Sequence, residues 1–217
     1  MNATPALEIY DVSKRFGPRW AVARLSYSLP VGQSLLLTGH NGSGKTTLLR
    51  MIATATFPTA GQINVFGRNT RSDRDALRLE VALLSHSSFL YEDLTAAQNL
   101  IVLGRLIGLE HLSKLVPEML ERVGLSARSD SPARQFSAGM RKRLAIARLL
   151  LKAPKLALLD EPFGELDPSG ILQMEALIRD LQKQGTTVVL ATHLVDQGRS
   201  LTQAQLHLEN GRKVASP

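Results

Sequence analysis

The chain has 217 residues, enough for one domain or two small ones with a real core, since a folded chain of this size buries roughly 70% of its unfolded surface. Apolar residues make up 44% and charged residues 21%, and cysteine is absent, which excludes a disulfide scaffold and any thiolate metal site. The net charge of +7 sits in one strip: Arg134, Arg141, Lys142, Arg143, Arg148, Lys152 and Lys155 fall within residues 134–155 with no acidic residue among them, so the rest of the chain is balanced and a general affinity for nucleic acid does not follow.

In chain order, the alternating LEIYDVS (7–13) predicts a strand, and SLLLT (34–38) a short buried strand that runs into a Gly-rich turn and then a helix from about Lys45 to Ala53. Residues 57–61 read as a turn, INVFG (63–67) as a strand and VALLS (81–85) as a buried strand. Residues 95–107 and 113–123 have helical periodicity. Ser137 is placed to cap a helix that runs to Ala153 and is stopped by Pro154. LALLD (156–160) and TVVLAT (187–192) are buried strands, and a helix over about 168–184 between them ends at Gly185. Continuous apolar strands alternating with helices predict an α/β fold, a largely parallel sheet covered on both faces. Residues 90–153 show no clear strand and read as a helical insertion between two core strands. No run approaches the ~18 apolar residues of a membrane span, and the N-terminus lacks a basic segment followed by an apolar one, so neither an anchor nor a secretory signal is expected.

Two motifs carry chemistry. Gly39-His40-Asn41-Gly42-Ser43-Gly44-Lys45-Thr46 fits G-x-x-x-x-G-K-[ST] between a strand and a helix. Glycines let backbone N–H groups turn inward around phosphate oxygens, and the helix N-terminus adds its positive end. Lys45 can reach β/γ-phosphates, and the Thr46 hydroxyl can ligate Mg²⁺. LALLDEP (156–162) then places two carboxylates where a buried strand emerges, at the end of a parallel sheet where ligands bind. Asp160 suits a Mg²⁺ shell, and Glu161 can polarise an attacking water.

Two further features complete an ordered set. Ser137-Ala138-Gly139-Met140 opens the basic helix 23 residues before Asp160, and His193 ends a strand 32 residues after Glu161. Together with GHNGSGKT and LALLDEP they resemble the ATP-binding subunits of ABC transporters over essentially the whole chain. The resemblance implies a P-loop NTPase fold of ABC type: a single domain over 1–217 with a mostly parallel core sheet, an N-terminal antiparallel β-subdomain and an inserted helical subdomain at about 90–153. It implies a Mg²⁺-dependent ATPase whose two subunits dimerise head to tail around two ATPs and drive an integral-membrane subunit from the cytoplasmic side of the inner (plasma) membrane.

Roles follow by position. Thr47 joins residues 39–46 in nucleotide binding. Phe16 matches the aromatic that stacks on adenine, with local packing as its alternative and Trp20 as a rival. Ser137, Ala138, Gly139 and Met140 match the signature motif, which contacts the γ-phosphate held by the opposite subunit; Ser137 can be a plain helix cap as well. His193 matches the switch histidine on the γ-phosphate, so Glu161 and His193 form the catalytic pair, and Thr46 and Asp160 the Mg²⁺ ligands.

The sequence departs from the common pattern in three places. The signature reads FSAGM instead of LSGGQ, the loop before Asp167 (the D-loop aspartate) reads GELD instead of SALD, and His86 stands at the Q-loop position usually held by Gln. A histidine there predicts weaker or more pH-sensitive coupling of Mg²⁺ occupancy to transport. The run S-A-G-x-x-[KR]-R-L-A-I-A-R, DEPF and His86 resemble the haem-exporter ATP-binding subunits of cytochrome c maturation, for which haem itself is not expected to touch this subunit. The other readings are the ATPase of a drug, lipid or ion exporter, a nucleic-acid-associated ABC ATPase, and a degenerate scaffold; the absence of coiled coils and zinc modules weighs against nucleic acid. The basic strip is expected to be mostly a solvated helix face, with Lys152 suiting the helix C-terminus, and part of it can add positive potential beside the nucleotide or face an anionic membrane surface.

Overall fold

The computed structural model describes residues 4–85 and 89–215. Two sheets organise it. The first is antiparallel, in spatial order β2-β1-β4-β5, from β1 (Leu7–Phe16), β2 (Arg19–Leu29), β4 (Ala60–Val65) and β5 (Arg68–Asn69). The second, in order β10-β9-β3-β8-β7-β6, is built from β3 (Leu35–Thr38), β6 (Val81–Leu84), β7 (Leu156–Asp160), β8 (Thr187–Ala191), β9 (Ala204–Glu209) and β10 (Arg212–Val214). All pairings in it are parallel except β9 with β10.

Its central strands are buried on both faces, which explains their unbroken apolar runs. In β7, Ala157 and Leu159 point into one core and Leu156 and Leu158 into the other; in β8, Val188 and Leu190 alternate in the same way with Val189 and Ala191. One core lies against the helices that follow β6: α3 (Ala96–Leu106), α4 (Leu112–Arg122), α5 (Ala138–Lys152) and, after β7, α6 (Pro168–Lys183). The other joins the sheet to α1 (Lys45–Ile52) and the antiparallel sheet.

The ends of these helices are written in their sequences. Thr95 and Gln98 form a reciprocal capping box at α3. The Ser137 hydroxyl accepts from the Met140 N–H at α5, and the Asp167 carboxylate accepts from the Gly170 N–H at α6. Between them, these caps fix where the segments around Ser137 and Asp167 stand.

Several elements were not read from the sequence. β2 and β9 carry mixed patterns, and α2 (Arg74–Glu80) and α7 (Val195–Leu201) are two turns long, too short for a periodic signal. The strand expected over 63–67 instead begins at Ala60, inside the expected turn, and ends at Val65, because Phe66 and Gly67 take positive φ in a turn. The basic strip is not a solvated face. Within α5 no basic residue is exposed: Arg141 donates to the Phe136 carbonyl, Lys142 to Glu161, Arg148 to Phe89 and Lys152 to Val81. Outside it, Arg134 pairs with Asp93 and Lys155 with Glu80. The strip ties α5 to its surroundings through charge-assisted hydrogen bonds.

Candidate active site

The site forms where β3 and β7 end. β3 delivers Gly39, whose φ of +141° and position 2.2 Å from the Leu208 carbonyl, measured from where a Cβ would stand, admit no side chain. Gly44 is equally constrained, with φ +108° and the Ala21 carbonyl 2.2 Å from such a Cβ. Gly44 caps α1 without a side chain, so the first N–H groups of that helix stay open to an anion. Lys45 folds back over the loop: its Nζ donates to the Gly39 carbonyl at 2.6 Å and the His40 carbonyl at 3.2 Å. Burial pulls the Lys45 pKa down, while the Glu161 and Asp160 carboxylates push it back up. The ammonium is thus held at the loop, next to where phosphate charge would arrive. The Ser43 hydroxyl is buried without a hydrogen-bond partner.

From the other side, β7 brings Asp160, which is buried, and then Glu161, whose φ is +51°. A left-handed backbone at a non-glycine residue costs of order 1–3 kcal/mol and persists where its surroundings over-determine it. Here the Glu161 N–H donates to the Ala191 carbonyl at 2.8 Å, and its carbonyl accepts from Lys142 Nζ at 2.8 Å. Its carboxylate Oε2 accepts from the His193 backbone N–H at 3.1 Å. Oε1 lies 3.3 Å from His193 Nε2 without a hydrogen bond to it. The Glu161 side chain is 28% exposed, open enough to meet a water.

Asn41, Gly42, Gly44, Lys45, Thr46, Thr47, Asp160, Glu161 and His193 line one cavity of about 180 Å³, together with Ala21 from β2. Ala21 is the contribution that sequence reading missed: a small residue in a polar, mixed strand gives no signal. Thr46 and Asp160 fit a Mg²⁺ ion that arrives with its phosphates. They offer one hydroxyl and one carboxylate, and among the described residues there is no cluster of three His, Cys, Asp or Glu side chains that would cage a metal by itself.

Ser137, Ala138, Gly139, Met140 and Asp167 come together elsewhere, in a cleft of about 470 Å³ shared with Arg143, Glu165 and Leu166. Asp167 is held below the usual carboxylate range by the Ser169 hydroxyl first and the Gly170 N–H second, with Arg143 at 3.8 Å adding to it. None of these residues lines the phosphate cavity. Phe16 and Trp20 lie outside that cavity as well; they are 55% and 51% exposed, under Lys14 and Arg15 respectively. His40 turns its Nδ1 to the Asn41 carbonyl. His86 lies outside the described residues.

A glycine loop on a helix N-terminus, a lysine over it and a Glu–His pair across the cavity define a P-loop nucleotide hydrolase. The chain belongs to the ABC transporter family, whose model matches residues 22–164. It is 35% identical to the Nod factor export ATP-binding protein I of Ralstonia nicotianae, over 99% of this chain and 68% of that relative. It is 36% identical to the bacitracin transport ATP-binding protein BcrA of Bacillus licheniformis, over 86% of this chain and 61% of that relative. Among solved structures, the ATP-binding subunit of an ABC transporter superposes with a TM-score of 0.90 at 27% identity, covering 97% of this chain and 88% of that one. An ATP-binding cassette solved as a dimer in a post-hydrolysis state with ADP and Pi superposes with a TM-score of 0.87 at 25% identity, covering 96% and 97%. The chain therefore has the ABC-type P-loop fold, with its antiparallel subdomain and helices, and is an ATPase of that class. Among the described residues no helix is long and apolar enough to cross a membrane.

Proposed function

We propose that this chain is the ATP-hydrolysing subunit of a membrane exporter. The observation that carries the reading is the joining of Lys45, Thr46, Asp160, Glu161 and His193 around one cavity, with Glu161 held by four hydrogen bonds against a strained backbone. The loop N–H groups and Lys45 hold the β- and γ-phosphates, with Thr47 beside them. Thr46 and Asp160 hold Mg²⁺, which when bound neutralises phosphate charge and orients the γ-phosphate. Glu161 accepts a proton from the attacking water, and His193 steadies the γ-phosphate. Phe16, or Trp20 as the rival, lies under adenine.

The whole chain acts as one ATPase domain, with residues 90–153 as its helical subdomain. Two copies close head to tail, so that Ser137 and Gly139 of each cap the γ-phosphate in the other and Asp167 stands at the seam. Their separation from the phosphate cavity within one subunit supports this division of labour. Closure swings the helical subdomain against an integral-membrane subunit, which places the chain peripherally on the cytoplasmic side of the inner membrane.

Relatives aligned over nearly the whole chain carry Nod factor export and bacitracin transport names, which supports export as the direction. Haem export for cytochrome c maturation is the second reading of the cargo, resting on the SAG signature, Asp160-Glu161-Pro162-Phe163 and His86. Affinity purification from membranes tests the function. A polytopic membrane protein that copurifies and stimulates ATP hydrolysis is the expected result, whereas nucleic acid or no membrane protein contradicts it. Normal cytochrome c assembly on deletion rejects the haem reading alone.

A further inference from the structure

Lys142 stands apart from the rest of the basic strip. It is 5% exposed, and an ammonium is not left in such a place without partners. Its Nζ donates to the backbone carbonyl of Glu161 at 2.8 Å, and Asp160, Glu161 and Glu165 surround it with negative charge. Four hydrogen bonds fix Glu161. Two come from the core sheet and the segment after it, through Ala191 and His193, and a third, at 3.3 Å on the carbonyl, from the Gly164 N–H of the turn that follows. The fourth, also on the carbonyl and shorter at 2.8 Å, is from Lys142, and it alone comes from α5, the helix that Ser137 caps.

We propose that Lys142 is a positioning residue that links the orientation of α5 to the aim of the Glu161 carboxylate. The inference rests on the reading of Glu161 as the base. Glu161 adopts φ +51°, so a small rotation of its peptide redirects the side chain. A tether on its carbonyl is where such a rotation is resisted. Because the tether runs from the helix that carries Ser137 and Gly139, a shift of α5 on closure against a second subunit is felt at Glu161 of the same chain. Lys142 touches neither water nor nucleotide in this account; it acts on the geometry of the residue that does.

The test measures kcat and KM for ATP in the complex with its membrane subunit, for wild type and for Lys142→Met, Lys142→Gln, Lys142→Arg and Glu161→Gln. Lys142→Met keeps length and removes the donor; kcat is expected to fall about 10- to 100-fold, the scale of a misaimed catalytic group. KM for ATP should stay within about twofold, since Lys142 does not line the phosphate cavity. Lys142→Arg, which restores N–H donors, should recover most of kcat. Should Lys142→Met not fold, Lys142→Gln, too short to reach, takes its place and should lose rate where Lys142→Arg does not. A kcat within about twofold of wild type for a folded Lys142→Met overturns the proposal, as do equal rates for the Gln and Arg variants or a rise in KM that accounts for the whole loss. Glu161→Gln separates the two levels: if it hydrolyses ATP normally, the reading of Glu161 fails, whereas its inactivity beside an unaffected Lys142→Met rejects only the tether.

Discussion

At the residue scale, the site depends on a few side chains held by backbone groups. Lys45 is anchored to two carbonyls of its own loop, so its ammonium is preorganised for an anion. A hydrogen bond to a charged group contributes about 1.5–3 kcal/mol, so Lys45→Ala should weaken ATP binding by about 10- to 100-fold, measured by titration with a fluorescent nucleotide, while the fold survives. These residues were legible because their types and spacing leave few alternatives: Gly39 and Gly44 occupy positions where a Cβ would meet a carbonyl at 2.2 Å. Lys142 was not legible in its role. In sequence it is one of seven bases in a strip, and only the packing of α5 on the end of β7 distinguishes it from Arg141 and Arg143. Phe16 shows the converse: its role is suggested by sequence position, and the structure leaves it exposed beside its rival Trp20.

At the scale of elements, apolar runs predicted β3, β7 and β8, and the cap at Ser137 predicted where α5 begins. β2, β9 and β10 escaped because they lie toward sheet edges, where mixed burial blurs the alternation. The caps make stability predictions. Thr95→Ala removes one half of the box that starts α3 and should cost about 1 kcal/mol. In a chain of this size that lowers Tm by about 2–4 °C, readable by thermal melting, with no change in ATP affinity. Asp167 adds a pH dependence. Its pKa is depressed in the fold, so its charge stabilises the native state above the unfolded value of about 3.9, and the contribution is lost as pH falls through the lower native value. Asp167→Asn keeps an acceptor for the cap and loses that titration. Its stability should therefore fall less steeply than that of wild type between about pH 5 and pH 3 in acid denaturation.

At the scale of the molecule, the phosphate cavity and the Ser137–Asp167 cleft share no lining residue, and the architecture makes sense as one half of a machine. In the proposed reading, each subunit brings a bound nucleotide in one place and the surface that meets a partner's nucleotide in another, with α5 and Lys142 running between them. In the proposed mechanism Glu161 drives hydrolysis in this cavity. Phosphate release from Mg-ATP by the complex purified from membranes, comparing wild type with Glu161→Gln, tests it most directly. Wild type should hydrolyse ATP, while Glu161→Gln should be slower by at least about 100-fold and retain bound ATP. Hydrolysis by Glu161→Gln at the wild-type rate would contradict it.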